Sequence, residues 1–82
     1  MKINILKKKK NSLNGWVARD QGNQLHFFSV YPERVTDDNF PNCGCWTVYG
    51  AAYLHAMLPP SWYKNLKWED EPFKVELSIK EL

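Results

Sequence analysis

The sequence is poor in the residues that build covalent, redox and phosphate-binding sites: it has two cysteines, two histidines and four glycines among 82 residues. The cysteines stand at Cys43 and Cys45, and a disulfide between residues two apart would strain the geometry of the bridge. We therefore expect free thiols, as in a reducing cytosol. The glycines form no phosphate-cradling pattern, which argues against the common nucleotide-binding loops.

Long apolar runs are also missing. No stretch approaches the roughly 20 apolar residues that a membrane-spanning helix needs. The start of the chain is basic and briefly apolar, but a run of lysines interrupts it before the apolar core of a secretory signal develops. We expect a cytoplasmic protein with no membrane partner.

Basic side chains are concentrated at the start of the chain. The first ten residues contain five lysines and no acid, whereas the other 72 residues carry nine acidic and six basic side chains. Like charges in a run repel one another and stay solvated, so we expect residues 1–14 to be a flexible basic extension and residues 15–82 a single small domain. Attraction to nucleic acid would come from four residues of the extension: Lys7, Lys8, Lys9 and Lys10.

The most regular pattern lies near the end of the chain, where polar and apolar residues alternate. The alternation puts one apolar set on the same side of an extended strand: Phe73, Val75, Leu77 and Ile79. A strand with one wet face is typical of antiparallel sheets. We predict an all-β or β-dominated α+β domain, a meander of four to five antiparallel strands curled towards a half-barrel, with one short helical turn at residues 61–66.

The other strands are predicted from shorter segments of β-forming residues between turns. A hairpin is expected from residues 16–20 and 25–31, joined by a turn that contains Gly22 and Asn23. Residues 32–44 are rich in turn-forming residues and predict a long loop.

Two further strands are expected at residues 46–49 and 51–58. A helix over residues 49–57 is the alternative for the second of them, because that segment is rich in good helix formers. Two consecutive prolines follow and would end either element.

Cys43 and Cys45, together with His26 and His55, are the best metal candidates, since thiolates and imidazoles are the ligands of tetrahedral zinc. The cysteines are closer together than in the usual zinc motifs, and the histidines lie in expected strands, so we favour a domain with no metal and no cofactor. Nothing in the sequence places a thiol beside a fixed cationic partner, the setting that makes it a nucleophile. We therefore expect no enzymatic activity.

Four tryptophans, four tyrosines and four phenylalanines are more large rings than one small sheet is expected to bury. Exposed aromatic residues are enriched at binding hot spots. The candidate binding surface consists of five aromatic residues and five acids: Tyr31, Tyr53, Trp62, Tyr63, Trp68, Asp37, Asp38, Glu69, Asp70 and Glu71. In the alternative interpretation, Trp62, Tyr63 and Trp68 cap the open end of the sheet and the acids are solvated loop residues.

Two segments carry a resemblance. Residues 15–20 read Gly-Trp-Val-Ala-Arg-Asp, and residues 67–72 read Lys-Trp-Glu-Asp-Glu-Pro. In these segments the chain resembles a group of short proteins carried by phages and mobile elements of gut bacteria. The resemblance spans about residues 15–79, without residues 42–57. It implies an accessory role inside a bacterial cell and no catalytic residue.

The expected function is that of a non-enzymatic binding protein that inhibits or modulates a bacterial macromolecule, with a host or defence protein as its partner. An anti-CRISPR-like, anti-defence inhibitor is the sharpest form of this hypothesis, by analogy alone. A binder of nucleic acid or nucleotides, using the lysines and exposed aromatics, is the first alternative. A minor virion or assembly component, which self-associates at an exposed sheet edge to form a dimer, is the second.

Overall fold

The computed structural model describes residues 12–36, 44–50 and 52–78. These described residues form six strands and no helix. The strands are β1 Ser12–Arg19, β2 Leu25–Phe28, β3 Glu33–Val35, β4 Cys45–Thr47, β5 His55–Leu58 and β6 Phe73–Ser78. The predicted class, a small antiparallel β domain, is confirmed. Within the same ranges, no helix has the length and apolar character that crossing a membrane requires.

Four strands form one antiparallel sheet in the order β5-β2-β1-β6, and β3 pairs with β4 in a separate two-stranded hairpin. A tight turn joins β1 to β2: Asn23 has a φ of 74°, and the Asp20 amide donates to the Gln24 carbonyl (2.9 Å). β6 returns along most of β1, so the first and last described strands are neighbours. This path differs from the predicted meander, in which neighbours in sequence would also be neighbours in the sheet.

The strand pairing assigns alternate residues to opposite sides of the sheet. One side, the core face, carries the apolar residues Leu13, Val17, Leu25, Phe27, Leu58, Val75 and Leu77. All of these except Leu13, which is partly buried, form one fully buried cluster. The other side, the ring face, carries Trp16, Ala18, His26, Phe28, His55, Met57 and Lys74. Both faces of this sheet therefore bear large apolar groups.

Gly15 lies on the core face of β1, opposite Val75. A Cβ atom at this position would collide with the carbonyl oxygen of Phe28 and approach Cζ of Phe27 to 2.6 Å. The ring of Phe27 occupies the space that a side chain at residue 15 would need. Glycine here is a packing requirement.

Arg19 is the buried charged residue of the core face, 5% exposed. Its guanidinium donates to five backbone carbonyls: those of Leu66 (2.6 Å), Trp62 (2.8 Å), Tyr63 (3.0 Å), Asn23 (3.2 Å) and Pro60 (3.2 Å). Four of these carbonyls belong to residues 59–66, the cap segment. The arginine therefore holds the cap segment over the core face, where three of its side chains pack on the buried cluster: Trp62, Tyr63 and Leu66.

The cap segment consists of successive turns, so the helical turn predicted at residues 61–66 is wrong. The Trp62 amide donates to the Pro59 carbonyl (3.0 Å) and the Leu66 amide to the Tyr63 carbonyl (2.9 Å). Tyr63 has a φ of 52°, a left-handed conformation that interrupts an α-helix. Arg19 draws the carbonyls of this segment inward, whereas a helix would align them along its axis.

The alternation near the end of the chain is confirmed at Val75 and Leu77, which are buried. Phe73 lies on the same side of the strand, opposite Val17, but it is 55% exposed. Phe73 lies at the end of the β1–β6 ladder, and its ring contacts Tyr63 (6.2 Å between ring centres). Ile79 lies outside the described residues.

Other strand bounds also differ from prediction, among them the end of β2 at Phe28, where residue 31 was expected. β1 begins at Ser12, before the strand predicted at residues 16–20, and the predicted loop at 32–44 contains β3. The segment predicted as a strand at 51–58 is a strand only from His55. Its described residues do not adopt the helical alternative, because pairing with β2 outweighs helix propensity.

Candidate binding surface

Aromatic side chains from β1, β2, β5 and two adjoining loops meet on the ring face. Trp16 stands opposite Phe28 in the β1–β2 ladder, and Tyr31 packs edge-on against Trp16 (5.6 Å between ring centres). The centre of the Phe28 ring lies 5.0 Å from that of His55 and 6.1 Å from that of Tyr53. These are two groups of touching rings, brought side by side by the pairing of Trp16 with Phe28. Together with His26 we call them the ring surface: Trp16, His26, Phe28, Tyr31, Tyr53 and His55.

The ring surface is open to solvent at its margins. Tyr31 is 46% exposed and Tyr53 is 40% exposed, and His55 is also exposed. Phe28 is buried beneath them. Lys74 adds a cation, with its Nζ 5.5 Å from the centre of the Trp16 ring. The outer rings are thus accessible, and the buried ring supports them from below.

The β3–β4 hairpin covers one end of the ring face. Trp46 is buried with Ala18 and Phe28, and its Nε1 donates to the Arg19 carbonyl (2.9 Å). Val48 and Trp68 pack against this second cluster. The hairpin therefore covers part of the ring face and leaves the margins of the ring surface open to solvent.

Arg34 fastens the hairpin to the loop before β6. Its guanidinium carbon lies 4.5 Å from the ring centres of both Trp46 and Trp68. It also donates to the carbonyls of Trp68 and Asp70, the latter at 3.2 Å. Its ion pair with Glu71 measures 3.8 Å between Nη2 and Oε2. Because the Glu71 carboxylate is largely exposed to water, this ion pair contributes little to stability.

Sequence reasoning did not single out Arg19 or Arg34. A signal was available, because these are the two arginines of a chain whose other basic residues are lysines. A planar guanidinium can bond several carbonyls and stack on indole rings at once, which an ammonium cannot. Arg19 also stands in an otherwise apolar strand segment, where a solvated role is improbable.

Asp20, His26 and His55 form a hydrogen-bonded chain at the edge of the ring surface. Asp20 Oδ2 lies 2.9 Å from His26 Nε2, and His26 Nδ1 lies 2.9 Å from His55 Nε2. An ionised carboxylate only accepts, so His26 Nε2 carries a proton and, when His26 is neutral, its Nδ1 accepts from His55 Nε2. In this arrangement His26 Nδ1 is unprotonated and accepts the bond, and a neutral His55 has its own unprotonated nitrogen at Nδ1.

The ionisation of His55 is coupled to this arrangement. Burial, and secondarily the charge on His26, lower the pKa of His55 below its ordinary value. The two rings lie side by side along their hydrogen bond, with centres 5.1 Å apart and planes 21° apart. Two positive charges at this separation would repel one another, which is why the charge on His26 contributes to the lowered pKa of His55.

The residues predicted as one binding surface lie at different places. Tyr31 and Tyr53 belong to the ring surface. Trp62 and Tyr63 are half-buried in the cap segment, as the alternative interpretation had it, and Trp68 is half-buried against Arg34. Trp16, Phe28 and the two histidines are the neighbours of Tyr31 and Tyr53 on the ring face. The sequence did not reveal this, because knowing which rings lie side by side requires the registers of β1, β2 and β5.

The predicted acids are divided between described and undescribed parts of the chain. Glu69, Asp70 and Glu71 are exposed in the loop before β6. Glu71 accepts from the Tyr31 hydroxyl (3.2 Å), and Asp70 Oδ2 accepts from the Lys67 amide (2.8 Å). Seven of the predicted site residues lie outside the described residues: Asp37, Asp38, Cys43, Lys7, Lys8, Lys9 and Lys10.

The metal candidates are only partly brought together. His26 and His55 are in contact, and Cys45 is an exposed free thiol. Among the described residues, no group of three or more His, Cys, Asp or Glu side chains is arranged to hold a metal ion.

A depression of about 310 Å³ lies on the other side of the sheet, beside the cap segment. Its lining consists of Tyr63, Lys64, Asn65, Leu66, Asp70 and Phe73. Its described lining combines apolar and aromatic side chains with the polar side chains of Lys64, Asn65 and Asp70, and contains no histidine, cysteine or serine.

The described residues define a small all-β domain with one covered face and one partly open aromatic face. Comparison with protein-family models, with curated proteins and with solved structures found no match to this chain. A functional assignment therefore depends on the geometry of the ring surface.

Proposed function

We propose that the chain is a non-enzymatic binding protein whose ring surface docks on a bacterial macromolecule and thereby inhibits or modulates it. The observation that carries this proposal is the exposure of Tyr31 and Tyr53, each packed on a ring of the same sheet face, Tyr31 on Trp16 and Tyr53 on Phe28. A host or defence protein is the partner we infer, and the resemblance to phage and mobile-element proteins supports an action in the bacterial cytoplasm.

The rings suit docking because they are already ordered. Tyrosine and tryptophan give a large contact area with few rotatable bonds, so little conformational entropy is lost on binding. Trp16 restrains Tyr31 from one side, and Phe28 restrains Tyr53. A partner would meet a surface whose shape is set before contact.

Polar groups surround these rings, as at the rim of many protein interfaces. Lys74 lies over Trp16, and Glu71 accepts from Tyr31. The Asp20–His26–His55 chain lies at the β5 side. These groups would fix the orientation of a partner while the rings supply most of the affinity.

The test compares proteins captured from a bacterial lysate by the wild type and by two variants. A double variant with serine in place of both Tyr31 and Tyr53 should no longer capture a protein that the wild type captures specifically. Tyr49→Ser is the matched control, because Tyr49 is 65% exposed and has no ring partner among the described residues. Equal capture by the wild type and the double variant would contradict the proposal.

Binding of single-stranded nucleic acid is a second candidate, favoured by Lys74 over Trp16 at the margin of a row of rings. Bases stack on such rings while cations follow the backbone. Titration with an oligothymidylate should then quench tryptophan fluorescence, with an affinity that falls steeply as salt rises. Removal of residues 1–10 should weaken it. Absence of quenching at low salt would exclude this candidate and leave the first unaffected.

A further inference from the structure

The outer strand β5 presents unpaired backbone groups in a specific pattern. The Ser29 amide donates to the Leu54 carbonyl (3.0 Å), so the backbone of Leu54 points towards β2. Because the pattern repeats every two residues, Ala56 and Leu58 also point towards β2. The N–H and C=O groups of His55 and Met57 therefore point away from the sheet, and no described residue pairs with them.

The same reasoning applied to β6 gives a different edge. The Asp20 amide bonds the Gln24 carbonyl, so the even-numbered residues of β1 bond β2 and its odd-numbered residues bond β6. Lys74 and Glu76 stand opposite even-numbered residues of β1, so their amides and carbonyls point outward. Charged side chains on an outer strand are a common protection against pairing with another chain. β5 has no such protection, because residues 52–58 contain no Asp, Glu, Lys, Arg or Pro.

The side chains beside β5 are apolar and exposed. Leu54 is 57% exposed and Met57 is 55% exposed, on opposite faces of the sheet. An outer strand with open backbone groups and apolar flanks is a template for a further strand.

We propose that a second copy of this chain pairs with β5, so that two β5 strands lie antiparallel across a two-fold axis at Ala56. In this register His55 stands opposite Met57 of the second copy, and Met57 opposite His55 of the second copy. The N–H and C=O groups of His55 and Met57, four in each strand, are then all paired. A two-fold interface brings a surface against an identical copy of itself, and this register makes β5 complementary to its own copy. The sheet becomes eight-stranded, and the two ring surfaces lie on the same side of it.

This interface is independent of the partner proposed above. The pairing uses the backbone of β5, whereas docking uses the solvent-facing rings. A chain that binds no partner could still dimerise, and a monomer could still bind one.

Sedimentation equilibrium of the full chain over a range of concentrations tests the proposal. We expect the average mass to rise from 9.7 kDa towards twice that value as the chain concentration increases. The rise should be evident at a concentration of about 1 mM or below. Met57→Lys should raise the dissociation constant of the dimer about tenfold or more, because it places a charge at the edge. Phe73→Lys is the matched control, equally exposed but on β6, and should leave the dimer intact.

A second variant removes the hydrogen bond directly. Met57→Pro deletes an outward amide and leaves the bonds to β2 in place, so its dimer should be lost while an NMR spectrum shows a folded monomer. In the wild type, the amides of His55 and Met57 should exchange with deuterium more slowly as concentration rises. A wild type that is monomeric throughout, or a dimer that survives both Met57 variants, would overturn the proposal.

Discussion

Replacement of Arg19 by methionine should strongly destabilise the domain. Methionine fills similar space and removes every donor, leaving the carbonyls of the cap segment without their common partner. The three shortest bonds, to Leu66, Trp62 and Tyr63, measure 2.6–3.0 Å. At about 1 kcal/mol net for each, the loss is about 3 kcal/mol. A domain of this length has a free energy of unfolding of about 4–12 kcal/mol, so the variant should be marginal.

Urea unfolding followed by tryptophan fluorescence at pH 7 measures this loss. Arg19→Lys is the control, since it keeps the charge but not the fork of donors. Lysine can reach fewer of the carbonyls, and we expect it to recover about half of the loss. A methionine variant within about 1 kcal/mol of the wild type would refute the reasoning, because water would then serve the carbonyls equally well.

Three further predictions concern other parts of the domain. The pKa of His55 is lowered on folding, so the unfolded chain binds more protons just below pH 6.5. Urea titrations should show stability falling as the pH drops through about 6.5, and falling less in His55→Gln. Gly15→Ala should lower the free energy of unfolding by about 1–3 kcal/mol, measured by thermal unfolding, because position 15 has no room for a Cβ atom. Gly22→Ala is the control: its Cβ would meet only a side-chain oxygen at 3.4 Å, and stability should change by less than about 0.5 kcal/mol. Arg34→Lys should cost about 1–2 kcal/mol in denaturant and shift both indole N–H resonances, since an ammonium cannot stack between the two tryptophans.

Features with a local cause were predictable from the sequence. The turn between β1 and β2 was expected around Gly22 and Asn23, and Asn23 adopts the positive φ. The alternation that buries Val75 and Leu77 needs only the period of two along one strand.

Features that depend on distant partners were not predictable. β3 is three residues long and buries little by itself, so it exists because β4 pairs with it. The cap segment has the composition of a helical turn, and Arg19, more than forty residues earlier, gives it another shape. Only the register between β2 and β5 brings His26 to His55.

The ring surface combines both kinds of feature. The surplus of aromatic residues was evident from composition, and Tyr31 and Tyr53 were correctly expected to be exposed. The packing of Trp62 and Tyr63 against the core was left open, because a count of rings does not say which face of a sheet they cover.

The most direct test of the docking surface is photo-crosslinking in bacterial cells that express the chain with benzoylphenylalanine at residue 53 or, as a control, at residue 49. Both replace an exposed tyrosine, and only residue 53 belongs to the ring surface. We predict a discrete adduct, heavier than a dimer of the chain, from residue 53 and none from residue 49. Adducts from residue 49 alone, or none from either position, would contradict the assignment of the ring surface as the site of docking.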